Sequence, residues 1–299
     1  MKKGMWNGIA AYALWGLFPI YWKFLHQVPA LQVIGHRISW SFLLLIVVVL
    51  LTRQWGAFRS AALTFQMLGI YFIAAVLLTI NWLVYVWGVN AGFIVETSLG
   101  YFINPLLSVL LGVVFLRERL RPAQWIPVAL ATTGVIYLTV VYGRPPWIAL
   151  ALAFSFGFYG FVKKLAPLGS LYGLTLETGI AFPFALIYLA LMEFNGTGAF
   201  LHSDARTNIL LIATGAVTSI PLLMFASAAK QIPLTVVGLL QYIAPTLQFL
   251  IGVFIYKEPF DQAHLIGFGI VWVALIIFWI ENFLAHRMPV EPIPEMGEG

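Results

Sequence analysis

The chain has 299 residues, 62% of them apolar and only 9% charged, with a mean hydropathy of +0.95. A soluble domain carries roughly 25% charged residues to keep its surface wetted, so composition excludes a water-exposed globule, a disordered chain and a collagen. The absence of cysteine and the net charge of +5 exclude disulfides, thiolate metal sites, iron–sulfur clusters and a Cys nucleophile, and direct attention to where Lys and Arg fall along a membrane chain, not to nucleic acid.

A helix crossing hydrocarbon needs about 20 mostly apolar residues. Windows of that length predict ten spans, over 4–23, 31–52, 67–89, 94–116, 123–142, 146–164, 170–193, 208–229, 234–256 and 263–284. The first begins like a secretory signal, with Lys2 and Lys3 ahead of Ala11-Tyr12-Ala13. Its apolar run continues through Trp15, Phe18 and Tyr21, well past the small residues, so it reads as an uncleaved span. The breaks fall at 53–59, 117–122, 143–146 and 195–208, where charges and turn residues cluster. Asn195-Gly196-Thr197 forms a sequon that reads as a loop. Residues 285–299 read as a disordered cytoplasmic tail.

Placing the N-terminus in the cytoplasm puts 11 of the 16 Lys and Arg in inside segments and 4 in outside ones, with Arg37 within a span. The inside set includes Lys163, Lys164 and Lys230, and the outside set includes Lys23. This asymmetry predicts both termini inside.

Residues 99–118 and 239–258 align at an offset of 140. Leu99/Leu239, Ile103/Ile243, Pro105/Pro245, Leu107/Leu247, Leu110/Leu250, Gly112/Gly252, Val113/Val253 and Glu118/Glu258 are identical, 8 of 20 positions. The apolar matches are cheap in such a chain; the Pro, Gly and Glu matches are not. The predicted organisation is two five-helix units, 4–142 and 146–284. Five is odd, so the second unit enters the membrane from the opposite side, the inverted-repeat plan of many secondary transporters.

Polar side chains inside spans are expensive unless they face the interior. Arg37, beside His36, snorkels to the surface, pairs with Glu96 or Glu177, or contacts a polar or anionic substrate. Glu177 carries a proton, accepts a structural hydrogen bond or joins an ion pair; the repeat offset suggests Arg37 as its partner. Asn81 and Tyr85 share one helix face, Tyr101, Asn104 and Ser108 form a second polar stripe, and Gln241, Tyr242 and Gln248 a third. Trp15, Trp22, Trp40 and Tyr159 are candidate aromatic walls, although Trp and Tyr also populate interfacial belts. The candidate substrate contacts are therefore His36, Arg37, Asn81, Tyr85, Tyr101, Asn104, Gln241 and Tyr242. The matched Pro105 and Pro245 mark a candidate gating kink.

Nothing in the sequence asks for catalysis. It contains no phosphate-binding Gly-x-x-x-x-Gly-Lys motif, no Gly-x-Ser-x-Gly elbow and no metal-spaced His, so no enzyme activity, cofactor or metal is expected.

Five stretches resemble a known family: His36-Arg37-Ile38-Ser39-Trp40-Ser41, Asn81 to Trp87, Ser98 to Leu106, Ser219 to Phe225 and Gly238 to Thr246. They are similar to the RarD branch of the EamA-domain transporters in the drug/metabolite transporter superfamily. The resemblance spans about residues 4–284. It implies an all-α integral membrane protein of ten transmembrane helices in two EamA repeats, placed in the bacterial inner membrane. The expected function is a secondary-active permease of small polar or amphipathic metabolites or drugs. It would export by alternating access, with or without protons, with the bilayer and a small molecule as partners. A non-transporting sensor or subunit is the competing reading, and it predicts a filled interior. The sequence assigns no oligomeric state.

Overall fold

The computed structural model describes residues 2–91, 93–143, 145–256 and 262–287. Lys257, Glu258 and the tail from 288 onward, all used above, lie outside them, as do the side chains of Glu96 and Ser98. Among the described residues the chain is helical throughout, with no strand. The helices are α1 (Lys2–Gly16), α2 (Phe18–Lys23), α3 (Ala30–Leu51), α4 (Trp55–Ala62), α5 (Phe65–Asn90), α6 (Ile94–Val114), α7 (Trp125–Tyr142) and α8 (Trp147–Leu165). They continue as α9 (Ser170–Phe194), α10 (Ala205–Gln231), α11 (Leu234–Leu240), α12 (Ile243–Leu250) and α13 (Gln262–Arg287). Among the described residues six helical stretches, including α3, α8, α9 and α10, are long and apolar enough to cross a membrane, and three shorter apolar stretches accompany them. Their outer faces are greasy. Phe65, Phe184 and Phe194 are 95%, 72% and 87% exposed, which is costly in water and favourable in lipid.

The first and ninth predicted spans are each interrupted. Residues 4–23 break at Leu17 into α1 and α2, with Pro19 in the first turn of α2. Proline has no N–H to give the carbonyl four residues back, which here is that of Trp15. The Gln248 amide donates to that carbonyl at 3.1 Å, so a side chain from the far half of the chain replaces the missing bond. Residues 234–256 break at Gln241–Tyr242, just ahead of Pro245, and end in a π-helical turn over Ile251–Ile255. Pro105, its match at the repeat offset, stays inside the continuous α6.

Two further differences concern segments read as loops. Residues 55–62 form α4, whose Phe58 and Ala62 lie one turn apart and bury against Val49 and Tyr71. The spacing of four puts both on one face, but Arg53 ahead of so short a stretch and Arg59 within it give it the polarity of a loop. Helix α10 starts at Ala205, three residues earlier than the apolar window indicates.

One core joins α1, α8, α10 and α11 through Tyr12, Tyr159, Phe225 and Leu240; a second joins α6, α7 and α13 through Phe102, Val135 and Val271. Glycines set how closely helices approach. A Cβ on Gly267 of α13 would stand 2.5 Å from the Leu138 side chain of α7. Arg121, in the segment leading into α7, is tied to Glu281 of α13, Nε to Oε1 at 2.7 Å and Nη2 to Oε2 at 2.9 Å. On α10, a Cβ at Gly215 would sit 2.6 Å from the backbone carbonyl of Trp40, where Ser41 donates to the Gly215 carbonyl at 3.3 Å. Backbone cannot move aside as a side chain can, so Gly215→Ala is expected to destabilise by roughly 1–3 kcal/mol. A lower melting temperature in detergent would show it; an unchanged one would mean that α3 and α10 separate freely.

Helix ends gather at two poles. At one, Lys164 donates to the Ile232 carbonyl at 2.6 Å, and Lys230 donates to the carbonyls of Ala166, at 2.6 Å, and Leu168. Glu118 accepts from the N–H groups of Leu234 and Thr235 at 2.6 and 2.9 Å, capping the exposed start of α11 as helix N-termini require. At the other, Lys23 lies 3.7 Å from the centre of the Tyr256 ring and Gln27 donates to Thr207 at 2.6 Å.

Candidate functional site: a central aromatic cavity

Between the poles lies a cavity of about 240 Å³. Arg37 reaches it from α3, Asn81 and Tyr85 from α5, Tyr101 and Asn104 from α6, and Gln241 from the break after α11. Tyr12, Trp15, Trp22, Trp82 and Phe156 complete its walls. The lining extends toward the Lys23 pole through Phe18 and Gln248, and toward the Lys230 pole it stops at Tyr12, Phe156 and Leu222.

Arg37 is placed by three neighbours. Its Nε donates to Thr218 Oγ1 at 3.0 Å, and the guanidinium carbon stands 4.4 Å from the Trp82 ring centre and 4.9 Å from that of Trp22. Weakly hydrated guanidinium suits such aromatic faces. Asn81 donates to the Leu152 carbonyl at 3.0 Å and to Ser155 at 3.1 Å, fixing α5 on α8. Tyr85 and Tyr101 meet edge to face at 5.9 Å, and Ser108 donates to Gln241 Oε1 at 3.4 Å. The Oδ1 of Asn104 and the hydroxyl of Tyr12 are buried without a hydrogen-bond partner among the described residues.

Six of the eight candidate contacts therefore converge, with Pro245 beside them. The other two stand apart. His36, one residue from Arg37, points away from the cavity and packs on Phe200 at 5.2 Å, because successive helix positions diverge by about 100°. Tyr242 turns its hydroxyl to the Phe102 carbonyl at 3.2 Å. Pro105 also lies outside the lining; its carbonyl would be 2.7 Å from a Cβ on Gly238, so it marks the close crossing of α6 and α11.

The suggested pairing of Arg37 with Glu177 is not what forms. Glu177 Oε1 binds Lys163 Nζ at 2.6 Å and Oε2 accepts from the Tyr159 hydroxyl at 3.0 Å, with both charged side chains 1% exposed. Lys163 is thus a buried residue of α8, not a loop charge. The two lie on adjoining helices, 14 residues apart, and Gly173, one turn before Glu177, leaves room for the ammonium: a Cβ there would stand 3.2 Å from Nζ. Among the described residues no carboxylate faces Arg37. Thr218, Tyr12, Phe156 and Leu222 escaped the sequence reading; an apolar or hydroxyl side chain facing a cavity carries the same signature as one facing a neighbouring helix.

A model of the EamA-like transporter family matches residues 2–140. Among curated proteins, the chain is 47% identical over 285 residues to the transporter YojE of Bacillus subtilis, covering 93% of each. It is 40% identical over 286 residues to the protein RarD of Escherichia coli, covering 96% of this chain and 97% of that one. The chloramphenicol-sensitive protein RarD of Pseudomonas aeruginosa is 29% identical over 279 residues, covering 92% of this chain and 93% of its own. A solved crystal structure superposes with a TM-score of 0.70 at 19% identity, covering 95% of this chain and 99% of the other, which is a likeness of fold alone.

Proposed function

Because the chain belongs to the RarD branch of the EamA-like transporters, a multi-pass membrane family, we propose that its central cavity is the binding site of a secondary transporter. The cargo is a small polar or amphipathic metabolite or drug, carried outward across the bacterial inner membrane by alternating access. The observation that carries this reading is the convergence of Arg37, Asn81, Tyr85, Tyr101, Asn104 and Gln241, from distant parts of the chain, on one interior cavity. A sensor or structural subunit predicts a filled interior and has no use for it.

The proposed frame is ten spans in two inverted five-helix units, 4–142 and 146–284, with both termini cytoplasmic. Its support is local. Phe102 and Tyr242, one repeat offset apart, touch with ring centres 6.3 Å apart, as equivalent residues beside a two-fold axis would. In this frame the Lys230 pole is cytoplasmic and closed, and the cavity faces outward. Arg37 anchors the substrate's polar group, the Tyr and amide side chains bond its remainder, and the helix break before Pro245 gives the wall a place to bend. Glu177 serves as the partner of Lys163 and holds the closed pole together.

The test is flux of a metabolite panel through the purified protein in liposomes, with and without a pH gradient. Transport of at least one solute, reduced tenfold or more by Arg37→Gln in protein that still folds, is the expected result. No flux of any solute, or flux indifferent to Arg37, would remove the reading.

A further inference from the structure

Among the described residues, Arg37 is the one formal charge in the cavity wall. Its Nε is committed to Thr218 and its faces to Trp22 and Trp82. The two terminal nitrogens have no acceptor among the described residues. A cation held inside a membrane protein with no counter-charge is costly, and intramembrane arginines are ordinarily paired. An edge of two parallel N–H donors fits a carboxylate oxygen for oxygen. The Trp22 and Trp82 rings beside the guanidinium keep water from it and offer flat apolar surface next to the donors.

From this we propose that the cavity takes a small organic monoanion, a carboxylate on a flat apolar body, with both oxygens on the terminal nitrogens of Arg37. The proposal rests on the transporter reading for what happens to the anion, but not for its binding. One positive charge sets the valence: a dianion would leave a buried negative charge, and an amine would place two cations together. The cavity, about 240 Å³, lies below the roughly 300–1,000 Å³ of drug-sized clefts, so the body is one ring with a short chain. Loading neutralises the wall and unloading restores its charge. A uniported monoanion leaves a negative-inside cell down the potential, by about tenfold in concentration for each ~60 mV. Export then needs no proton, in keeping with Glu177 being occupied by Lys163.

Isothermal titration of the purified, full-length protein with 3-phenylpropionate, 3-phenylpropionamide and 3-phenylpropylamine tests the charge rule without any mutation. The carboxylate is expected to bind at least tenfold more tightly than the other two. Arg37→Lys, which keeps the charge and loses the fork, is expected to weaken it about tenfold, and Arg37→Gln to erase the preference. Equal binding of the three, preference for the amine, or no binding of the carboxylate would overturn the proposal. Counterflow of labelled 3-phenylpropionate at pH 8, corrected for protein-free vesicles, separates the two readings. Selective binding with no counterflow of 3-phenylpropionate and no flux of any solute of the panel removes the transporter and leaves the anion site. Counterflow of amide or amine at the carboxylate's rate removes the anion site and leaves the transporter.

Discussion

Lys163→Met is expected to lower the stability of the folded protein by roughly 3–5 kcal/mol, because it strands a carboxylate in the interior without its ammonium. Lys163 Nζ and Glu177 Oε1 are 2.6 Å apart and both side chains are 1% exposed, so neither charge can turn to water. Bringing the two ions together out of water cost nearly as much as their attraction returns, and the intact pair is a weak net stabiliser. The asymmetry between breaking it and replacing it is the measurable quantity. In Lys163→Met with Glu177→Gln no charge remains, and the Gln oxygen still accepts from Tyr159, which donates at 3.0 Å in the parent. The double variant is therefore expected to recover most of the loss. Resistance to heat in mild detergent, followed by the fraction that stays monodisperse, reads all three proteins. A double variant as unstable as Lys163→Met would show that Lys163 acts through some other contact. Exchanging Arg37 and Glu177 by charge should rescue nothing, since Arg37 is seated on Thr218 and two Trp faces.

The pair also shows what a sequence displays and what it conceals. Span positions are legible because hydropathy is local: the windows 31–52 and 170–193 correspond to Ala30–Leu51 and Ser170–Phe194. Arg37 is legible because burying a charge costs so much that its presence in an apolar run must have a reason. The Asn and Tyr stripes are legible for a weaker version of the same reason, and most of them do meet in the cavity. The partner of a buried charge is different information. It depends on which helices adjoin, and the repeat offset pointed Glu177 to Arg37 when the nearer Lys163, near the end of its own helix, was the residue that fits beside Gly173. The interruption of the ninth span is concealed likewise. Pro245 announces a kink, but whether a proline stays within a helix, as Pro105 does, or sits at a break depends on which groups nearby replace the lost bond. At Pro19 that group is Gln248, 229 positions away. Tyr12, Phe156 and Leu222 leave no mark at all, since an apolar residue is equally at home against lipid, a helix or a cavity.

Phe225→Ala is the second change with a large expected effect, and it bears on how the cavity opens. Phe225 is 2% exposed and meets four rings: Tyr12 at 6.2 Å, Trp15 at 5.7 Å, Phe156 at 5.4 Å and Tyr159, stacked, at 5.9 Å. Three of these rings wall the cavity, and the fourth donates to Glu177. Phe225 thus stands between the cavity and the buried ion pair, where the lining ends. Removing a buried Phe costs about 3–5 kcal/mol in contacts and cavity. If these rings part when the protein faces the other way, as alternating access around this cavity requires, the cost falls on the present state alone. A differential of ~3 kcal/mol moves the balance of the two states by about 100-fold. The chain has no cysteine, so Leu222→Cys supplies a thiol in the cavity wall without background. In membrane vesicles whose Lys230 pole faces outward, an impermeant maleimide is expected to label Leu222→Cys slowly, and to label it at least tenfold faster when Phe225→Ala is added. Equal rates in the two would mean that the aromatic cluster does not separate the cavity from that pole, and that its closure lies in the backbone contacts of Lys164, Lys230 and Glu118 instead.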